Sequence, residues 1–465
     1  MADAPSRSAP GVSAAGTTAA GGIAACLGRR QFLQVAGLGG AAAGVSAVTG
    51  GCGAASSKPT GKPVRLGMMS NQTGSLAGFG EADSVVIANI RSALKDTIEI
   101  NGTSYPLQIQ LRDTGSQPQR AGQVASDLID SKVDLLLAAG TPEMVNPVAD
   151  VAEKAGMPCL STTVPWQAYF FGRQKDPAKP QPFNWTYHFF WGLEDIVAVY
   201  SSMWQRAANN KVVAGVFAHD PDGDAWSSTQ TGMPATLVKQ GYSFVEDPRP
   251  DVGANSYQDL IDNFKARDAQ ILTGVIPPPD FATLWSELGT RRFRPQIATV
   301  GKALLFPAFI EVLKPSPVGL ATEVWWHPTW AYKSSLTGQT CAQWAAEYTR
   351  QTHRQWTQPI GTVHALFEVA INLLKRVGVG DPQAIVDAIQ QTSMDTIIGP
   401  LSWVGGRKTD LPQFARKNIA KSPMVGGQWV ATRPGSQFPF DLQIVANPGH
   451  PEIPVARNVQ PLSQT

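Results

Sequence analysis

The sequence has little charge of either sign and no long hydrophobic run. Charged residues make up 16% of its 465 residues, against about 25% in typical soluble domains. Outside residues 1–52, which hold Arg7, Arg29, Arg30 and Asp3, it has 35 basic and 35 acidic residues. This balance argues against nucleic acid as a partner, because nucleic-acid-binding proteins usually carry a basic patch or stripe. The absence of about 18 consecutive apolar residues argues against a membrane-spanning helix in the mature chain.

Residues suited to metal binding or nucleophilic catalysis are also scarce. The four cysteines, at positions 26, 52, 159 and 341, form no CxxC motif, which excludes a zinc ribbon. The six histidines are scattered, and neither HExxH, GxSxG nor a phosphate-binding loop occurs. We therefore expect no metal, no cofactor and no enzymatic activity. Cys159 and Cys341 could form a disulfide in an oxidising compartment or remain separate buried thiols, and the sequence does not decide between the two.

Glycine and alanine are concentrated at the N-terminus, with 25 of them in residues 1–52. There Arg29-Arg30 and Phe32-Leu33 precede a weakly apolar run over Val35–Val48. This order is typical of a twin-arginine export signal, and the run is too short to span a bilayer. The alternative is a low-complexity tail. An export signal predicts a periplasmic or other extracytoplasmic location.

The residues Thr49-Gly50-Gly51-Cys52 resemble a bacterial lipoprotein cleavage site, although Thr49 stands where leucine is usual. Two outcomes stay open. A lipid on Cys52 would anchor the protein to the membrane, whereas cleavage elsewhere nearby would release it.

Beyond a polar linker over 53–63, the pattern changes to alternating strands and helices. Val133–Gly140 is a continuous apolar run, and Pro142–Ala155 has helical spacing. Strands that are apolar on both faces and alternate with long helices indicate a parallel sheet covered on both sides. A second series of this kind spans roughly 190–325, with one helix predicted over Ala225–Gln240. The sequence thus predicts an α/β fold made of doubly wound units.

The order of these segments resembles the type I periplasmic solute-binding proteins of the leucine/isoleucine/valine-binding family, which serve ATP-driven importers. The likeness covers about 65–445. It rests on Val64–Gly67 with Gln72–Gly80, Val133–Leu136 leading to Gly140-Thr141, Gly156–Ser161, and Trp325–Pro328 through Ser335–Gly338.

The resemblance implies two lobes joined by three crossovers, with a small-molecule ligand in the cleft between them and closure by hinge motion. The crossovers are expected near Tyr187–Trp191, Glu323–His327 and Ile397–Trp403. Lobe 1 would comprise 64–188 and 327–400, and lobe 2 would comprise 189–326 and 401–450 with the C-terminal tail. It also implies a membrane permease as partner, and we expect the binding protein itself to be a monomer.

Candidate ligand contacts come from loops at the carboxyl ends of strands, which line the ligand crevice in open α/β sheets. Thr141 and Pro142 open a helix whose free N–H groups could meet a ligand, although Thr141 could equally serve only as a cap. Each tryptophan could also be a core residue, but several together predict an aromatic-lined cleft. The full set is Phe79, Thr141, Pro142, Thr162, Thr163, Trp166, Trp191, Asp222, Trp226, Pro277, Lys302 and Trp325.

Two of these positions depart from the family pattern. Asp222 falls where the family often has a tyrosine, and Lys302 falls near where amino-acid-binding members carry an acidic residue for the ligand's ammonium group. This departure favours a small organic acid, amide or aromatic compound over a plain aliphatic amino acid.

The sequence thus predicts the extracytoplasmic binding component of an importer of the branched-chain amino acid type. One alternative is an enzyme exported by the twin-arginine route, and another is a ligand-sensing receptor module of the same fold. For the enzyme, His219-Asp220 is the one acid/base neighbour pair, but adjacent residues on a strand point to opposite faces.

Overall fold

The computed structural model describes residues 61–314, 316–404 and 410–463. The predicted export signal over 1–52, with Arg29, Arg30 and Cys52, lies outside these residues, as does the linker up to residue 60. The described part contains nearly all of the predicted α/β region.

The strands and helices alternate along most of the chain. The strands are β1 Val64–Ser70, β2 Thr97–Ile100, β3 Thr103–Asp113, β4 Leu135–Ala139, β5 Cys159–Thr162, β6 Thr186–Phe189, β7 Val212–Phe217, β8 Ser243–Val245, β9 Ile271–Ile276, β10 Ile297–Lys302, β11 Ala321–Val324, β12 Ser393–Thr396, β13 Gly399–Ser402, β14 Ile419–Ala420, β15 Val425–Ala431 and β16 Phe440–Ala446. The α-helices are α1 Asp83–Leu94, α2 Pro118–Asp130, α3 Pro142–Ala155, α4 Trp166–Phe171, α5 Leu193–Trp204, α6 Pro221–Ser227, α7 Met233–Leu237, α8 Gln258–Ala266, α9 Pro278–Thr290, α10 Pro307–Val312, α11 Cys341–Thr352, α12 Pro359–Val377 and α13 Pro382–Gln390.

Two seven-stranded sheets form two lobes. The first has the order β14-β6-β5-β4-β1-β3-β2, and the second has the order β16-β15-β11-β10-β9-β7-β8. In the first sheet all neighbours are parallel except β2 and β3, and in the second all are parallel except at the β11-β15-β16 edge. The predicted α/β fold of two doubly wound lobes is confirmed.

The central strands are apolar because helices cover both faces of each sheet. Every residue of β4 and of β9 is buried. On the first sheet, α2 packs beside α3 and α12 packs beside α1, and α12 is buried along most of its 19 residues. The stretch after β11 thus returns to the first lobe.

The chain changes lobe three times among the described residues, but the third change is not where it was predicted. Ile397–Trp403 was expected to cross, yet β12 and β13 form a separate antiparallel pair that contacts α12. The chain then adds β14 to the first sheet before it enters β15 of the second. The segment 401–450 therefore contributes to both lobes and not to lobe 2 alone. Asn418 holds β14 in place, since its amide donates to the Phe183 and Thr186 carbonyls at 3.0 and 2.9 Å.

The helix predicted over Ala225–Gln240 is wrong in its bounds. Helix α6 begins earlier, at Pro221, because the Asp220 carboxylate accepts the Gly223 N–H at 2.8 Å and caps it. It ends at Ser227, and α7 begins separately at Met233. Asp222 and Trp226 consequently lie on one short helix at the end of β7.

Cys159 and Cys341 are both buried free thiols. The disulfide alternative therefore does not apply to the described structure. Within the described ranges, no helix is long and apolar enough to cross a membrane, and no group of three or more His, Cys, Asp or Glu side chains is arranged to hold a metal ion.

Candidate functional site

The carboxyl ends of strands from both lobes meet at a small cavity. It is lined by Phe79, Thr141, Thr163, Pro165, Phe190, Trp191, Asp222, Trp226, Val275, Lys302, Leu305, Glu323 and Trp325. Its volume for water-sized occupants is about 20 Å³, enough for roughly one water molecule. The lobes are therefore closed on each other in this conformation.

Eight of the twelve predicted contact residues lie together in this lining: Phe79, Thr141, Thr163, Trp191, Asp222, Trp226, Lys302 and Trp325. They lie at the carboxyl ends of seven different strands or in the loops and short helices that follow, three of the strands in the first lobe and four in the second or at the crossovers. Sequence reasoning could group them only because parallel strands present their carboxyl ends on one edge of a sheet.

Aromatic rings form one wall of the cavity. Phe190 packs against Trp191 and Trp325, with centroid distances of 5.0 and 5.4 Å. Trp191 meets Trp226 edge-on at 6.3 Å. All four rings are at most 2% exposed. Across the cleft, Phe79 of the first lobe contacts Phe306 of the second at 4.9 Å. These rings make the wall apolar.

Three buried polar atoms of lining residues have no hydrogen-bond partner within the described chain: Trp191 Nε1, Trp226 Nε1 and Thr141 Oγ1. Two of them are indole N–H groups, which can only donate. A buried donor without an acceptor is energetically unfavourable by about 1–3 kcal/mol. The cavity is therefore chemically suited to a molecule that carries hydrogen-bond acceptors.

The charged side of the cavity is built around Lys302, the last residue of β10. Its ammonium nitrogen lies 2.9 Å from Glu143 Oε1, 2.9 Å from Asp220 Oδ2 and 3.2 Å from Asp222 Oδ2. Glu143 is in the first turn of α3 in the first lobe, whereas the two aspartates belong to the start of α6 in the second. The Lys302–Glu143 pair thus joins the lobes.

Burial and this crowding shift the ionisation of the cluster. Burial alone would lower the pKa of Lys302, but its attraction to Glu143, Asp222 and Asp220 raises that pKa well above the usual range. Burial, with further repulsion from Glu143 and Asp220, raises the pKa of Asp222 to about 8 despite the nearby ammonium. Lys302 is therefore positively charged at neutral pH, and the surroundings of Asp222 favour the protonated form of its carboxyl group.

Two lining residues have strained backbones. Thr163 has a φ of 69° and Lys302 a φ of 64°, values that non-glycine residues rarely adopt and that are often found at functional sites. The Thr163 hydroxyl is engaged, because it accepts the Gly140 N–H at 2.5 Å and lies 2.7 Å from the Gly140 carbonyl. Thr163 thereby ties the ends of β4 and β5 together.

Glu323 on β11 lines the cavity next to Lys302, whose backbone N–H donates to Glu323 Oε1 at 3.5 Å. It accepts hydrogen bonds from the Tyr200 hydroxyl at 2.7 Å and the Thr322 hydroxyl at 2.8 Å. Burial raises its pKa. Sequence reasoning did not predict Glu323, Glu143 or Asp220 as site residues. Glu323 begins a predicted crossover and the other two lie within two residues of predicted contacts, so a carboxylate close to a strand end was the available signal.

The other four predicted contacts do not line the cavity. Pro142 is the first residue of α3, and Pro277 precedes α9. The Thr162 hydroxyl donates to the Phe189 carbonyl of the neighbouring strand β6 at 2.8 Å and is therefore engaged within the sheet. The Trp166 Nε1 donates to Glu194 Oε1 at 3.0 Å, so it contacts the crossover instead.

That crossover contact belongs to a second ionic cluster. The Lys421 ammonium, between β14 and β15, lies 2.6 Å from Glu194, 2.8 Å from Asp195 and 2.8 Å from Asp410. Glu194 and Asp195 begin α5, just after the first crossover. The cluster thus fastens the first and third crossovers to each other.

Comparison with known proteins gives a consistent result. The family model described as "Periplasmic binding protein" matches residues 63–413. A search of curated proteins gives no match.

Several solved structures share the fold at low sequence identity. A leucine-binding protein, LivK, from Thermotoga maritima is 16% identical with a TM-score of 0.64, and the match covers 83% of this chain and 99% of that one. A solute-binding protein from Rhodopseudomonas palustris in complex with 3,4-dihydroxybenzoic acid is 13% identical with a TM-score of 0.62, covering 83% and 96%. LivJ from Streptococcus pneumoniae in complex with isoleucine is 14% identical with a TM-score of 0.60, covering 82% and 99%.

Proposed function

Since the chain belongs to the periplasmic binding protein family, we propose that it captures a small organic acid or amide with an aromatic body for an ATP-driven importer. The resemblance to the leucine/isoleucine/valine-binding kind is confirmed. The family consists of solute-binding proteins and not of enzymes, and it implies an extracytoplasmic location. The importer's permease, the ligand class and action as a monomer are parts of the proposal.

The observation that carries the ligand class is the pair of unpartnered indole N–H groups of Trp191 and Trp226 in an aromatic cavity. Ligand pockets are mostly apolar, with a few polar groups that fix orientation. Here the rings would hold a flat apolar body, and the two donors with Thr141 would hold an oxygen acceptor such as a carboxylate or carbonyl. The R. palustris protein in complex with 3,4-dihydroxybenzoic acid supports this reading.

Binding requires the cleft to open. A cavity that holds benzene has a volume of about 150 Å³, whereas this one offers about 20 Å³. The ligand would enter between separated lobes, and closure upon it would leave Phe79 and Phe306 farther apart than their present 4.9 Å. Hinge closure around a ligand is the motion on which such proteins depend.

Calorimetric titration with 3,4-dihydroxybenzoate, benzoate, benzamide and isoleucine tests the ligand class. We expect saturable binding of at least one aromatic compound and weaker binding of isoleucine. Trp226→Phe keeps a ring but removes one donor, and the loss of one hydrogen bond should weaken binding about 10-fold. Trp344→Phe is the matched control, because that indole donates to the Ile360 carbonyl outside the cavity lining.

Tight binding of isoleucine with no binding of the aromatic compounds would refute the proposed ligand class. A mass spectrum of any compound that co-purifies with the protein would identify the ligand directly.

The lipid state needs its own experiment. Lipid attachment at Cys52 after export predicts an added acyl mass and partition into detergent, both lost in Cys52→Ser. Release by cleavage elsewhere predicts neither.

A further inference from the structure

Building on the proposed function, we propose that Lys302 is a resident counter-ion: its ammonium fills the carboxylate cluster of the cleft, so the site selects ligands without an amine. In this role Lys302 determines specificity without being a direct contact for the ligand's carboxylate.

Acidic side chains surround the ammonium of Lys302. A lysine ammonium has three N–H donors; two of them donate to Glu143 and Asp220 at 2.9 Å each, and an Asp222 carboxyl oxygen lies 3.2 Å from the nitrogen. The side chain of Lys302 is 2% exposed, and those of its partners are 7% to 15% exposed. With its ammonium surrounded by these three side chains, Lys302 is poorly placed to bind a ligand carboxylate, which is instead left to Trp191, Trp226 and Thr141.

The backbone of Lys302 supports a positioning role. Its φ and ψ are 64° and −56°, close to the strained γ-turn conformation. Such a conformation persists only where the surroundings hold it, and it is concentrated at functional sites. Here the bend lies between β10 and the turn Ala303–Leu305, and the ammonium above it bonds to residues of α3 and α6.

A ligand amine would meet two obstacles in this site. It would have to replace an ammonium that is tethered to the chain and therefore always at the cluster. If it entered beside Lys302 instead, two like charges would face each other in a site where water screens them poorly. A ligand without an amine meets neither obstacle.

Chemical rescue tests whether Lys302 is a counter-ion. Lys302→Ala leaves a gap the size of n-propylammonium beside three carboxyl groups. We expect a lower thermal unfolding midpoint for this variant, and saturable restoration by n-propylammonium chloride relative to sodium chloride at equal ionic strength. Tetramethylammonium, which has no N–H donor, should not restore it, and wild type should not respond to propylammonium.

Equal responses of wild type and Lys302→Ala to n-propylammonium, or none in either, would overturn the counter-ion role. If Lys302→Ala does not fold, Lys302→Ala combined with Asp220→Asn and Asp222→Asn removes most of the repulsion. Glu143 is then the remaining acidic partner, and the same comparison applies with a smaller expected restoration.

Paired ligands test selectivity separately. Phenylalanine and 3-phenylpropionate differ by one amine, so we expect wild type to bind the acid at least 10-fold more tightly. Lys302→Met should lose most of this preference, whereas Lys314→Met, outside the cavity lining, should keep it. Equal binding of both compounds by wild type would overturn the inference and leave the importer function standing. Binding of neither would count against the proposed ligand class, and the rescue experiment would still decide the counter-ion role.

Discussion

The ion pair between Lys302 and Glu143 gives a quantitative prediction for lobe closure. Glu143→Gln removes one negative charge with little change of shape. The pair joins the two lobes at 2.9 Å, with side chains 2% and 15% exposed. Lys302 keeps Asp220 and Asp222 in the variant, so its charge is not left unpaired.

A hydrogen bond to a charged group contributes about 1.5–3 kcal/mol, and 1.4 kcal/mol is a factor of about 10 in an equilibrium constant. Glu143→Gln should therefore lower the ratio of closed to open protein about 10- to 100-fold. Small-angle X-ray scattering of the protein without added ligand should show a larger radius of gyration for the variant than for wild type.

The matched control is Glu347→Gln, which removes an exposed pair with Arg350 within α11. Exposed pairs contribute at most about 1 kcal/mol, and this one does not join the lobes, so its scattering should equal that of wild type. Identical profiles for Glu143→Gln and wild type would refute the reasoning. A wild-type protein that is already open would refute it as well, because the pair would not form in solution.

Two further predictions concern stability, measured by urea unfolding. Burial raises the pKa of Asp83 to about 8, against about 3.9 unfolded. The folded state then binds more protons than the unfolded state, so the free energy of unfolding of wild type falls as pH rises. Asp83→Asn lacks this titration, so its free energy of unfolding relative to wild type should increase by about 2–3 kcal/mol from pH 5 to 7. A constant difference, or the same trend in exposed Asp127→Asn, would contradict this. Gly122 lies inside α2, and a carbon added there would have no neighbouring atom closer than 3.8 Å. Gly122→Ala should therefore stabilise the protein by about 1 kcal/mol. Gly223→Ala would place its added carbon 1.9 Å from the Ala218 carbonyl oxygen and should therefore destabilise the protein. Equal changes in the free energy of unfolding for the two glycine variants would contradict this.

Much of the fold could be predicted because its signals are local. The apolar runs of β4 and β9 follow from burial on both faces of a sheet, and the helical spacing of apolar residues in α3 and α12 follows from packing of these helices on the first sheet. Other features left no such signal. The two-residue strand β14 depends on the distant carbonyls of Phe183 and Thr186, so the third crossover was predicted in the wrong place.

The candidate site likewise has a part that the sequence could predict and a part that it could not. Loops after parallel strands identified Thr141, Asp222 and Lys302, because position at a strand end is a property of the local pattern. Orientation was not predictable for Thr162 and Trp166, which face a neighbouring strand and the crossover. Their direction depends on the packing partners Phe189 and Glu194, which are distant in the sequence.

The sequence by itself determined two successive α/β units, the strand ends that carry the candidate contacts, and a lysine at position 302. These follow from the spacing of apolar residues or from one residue's place after a strand, whereas the two lobes with a cleft between them were implied by the family resemblance. Only the tertiary structure decided that Lys302 is enclosed by Glu143, Asp220 and Asp222, and that two indole N–H groups remain unpartnered. The reason is physical: those relations join residues up to 159 positions apart, and only folding brings their atoms within bonding distance.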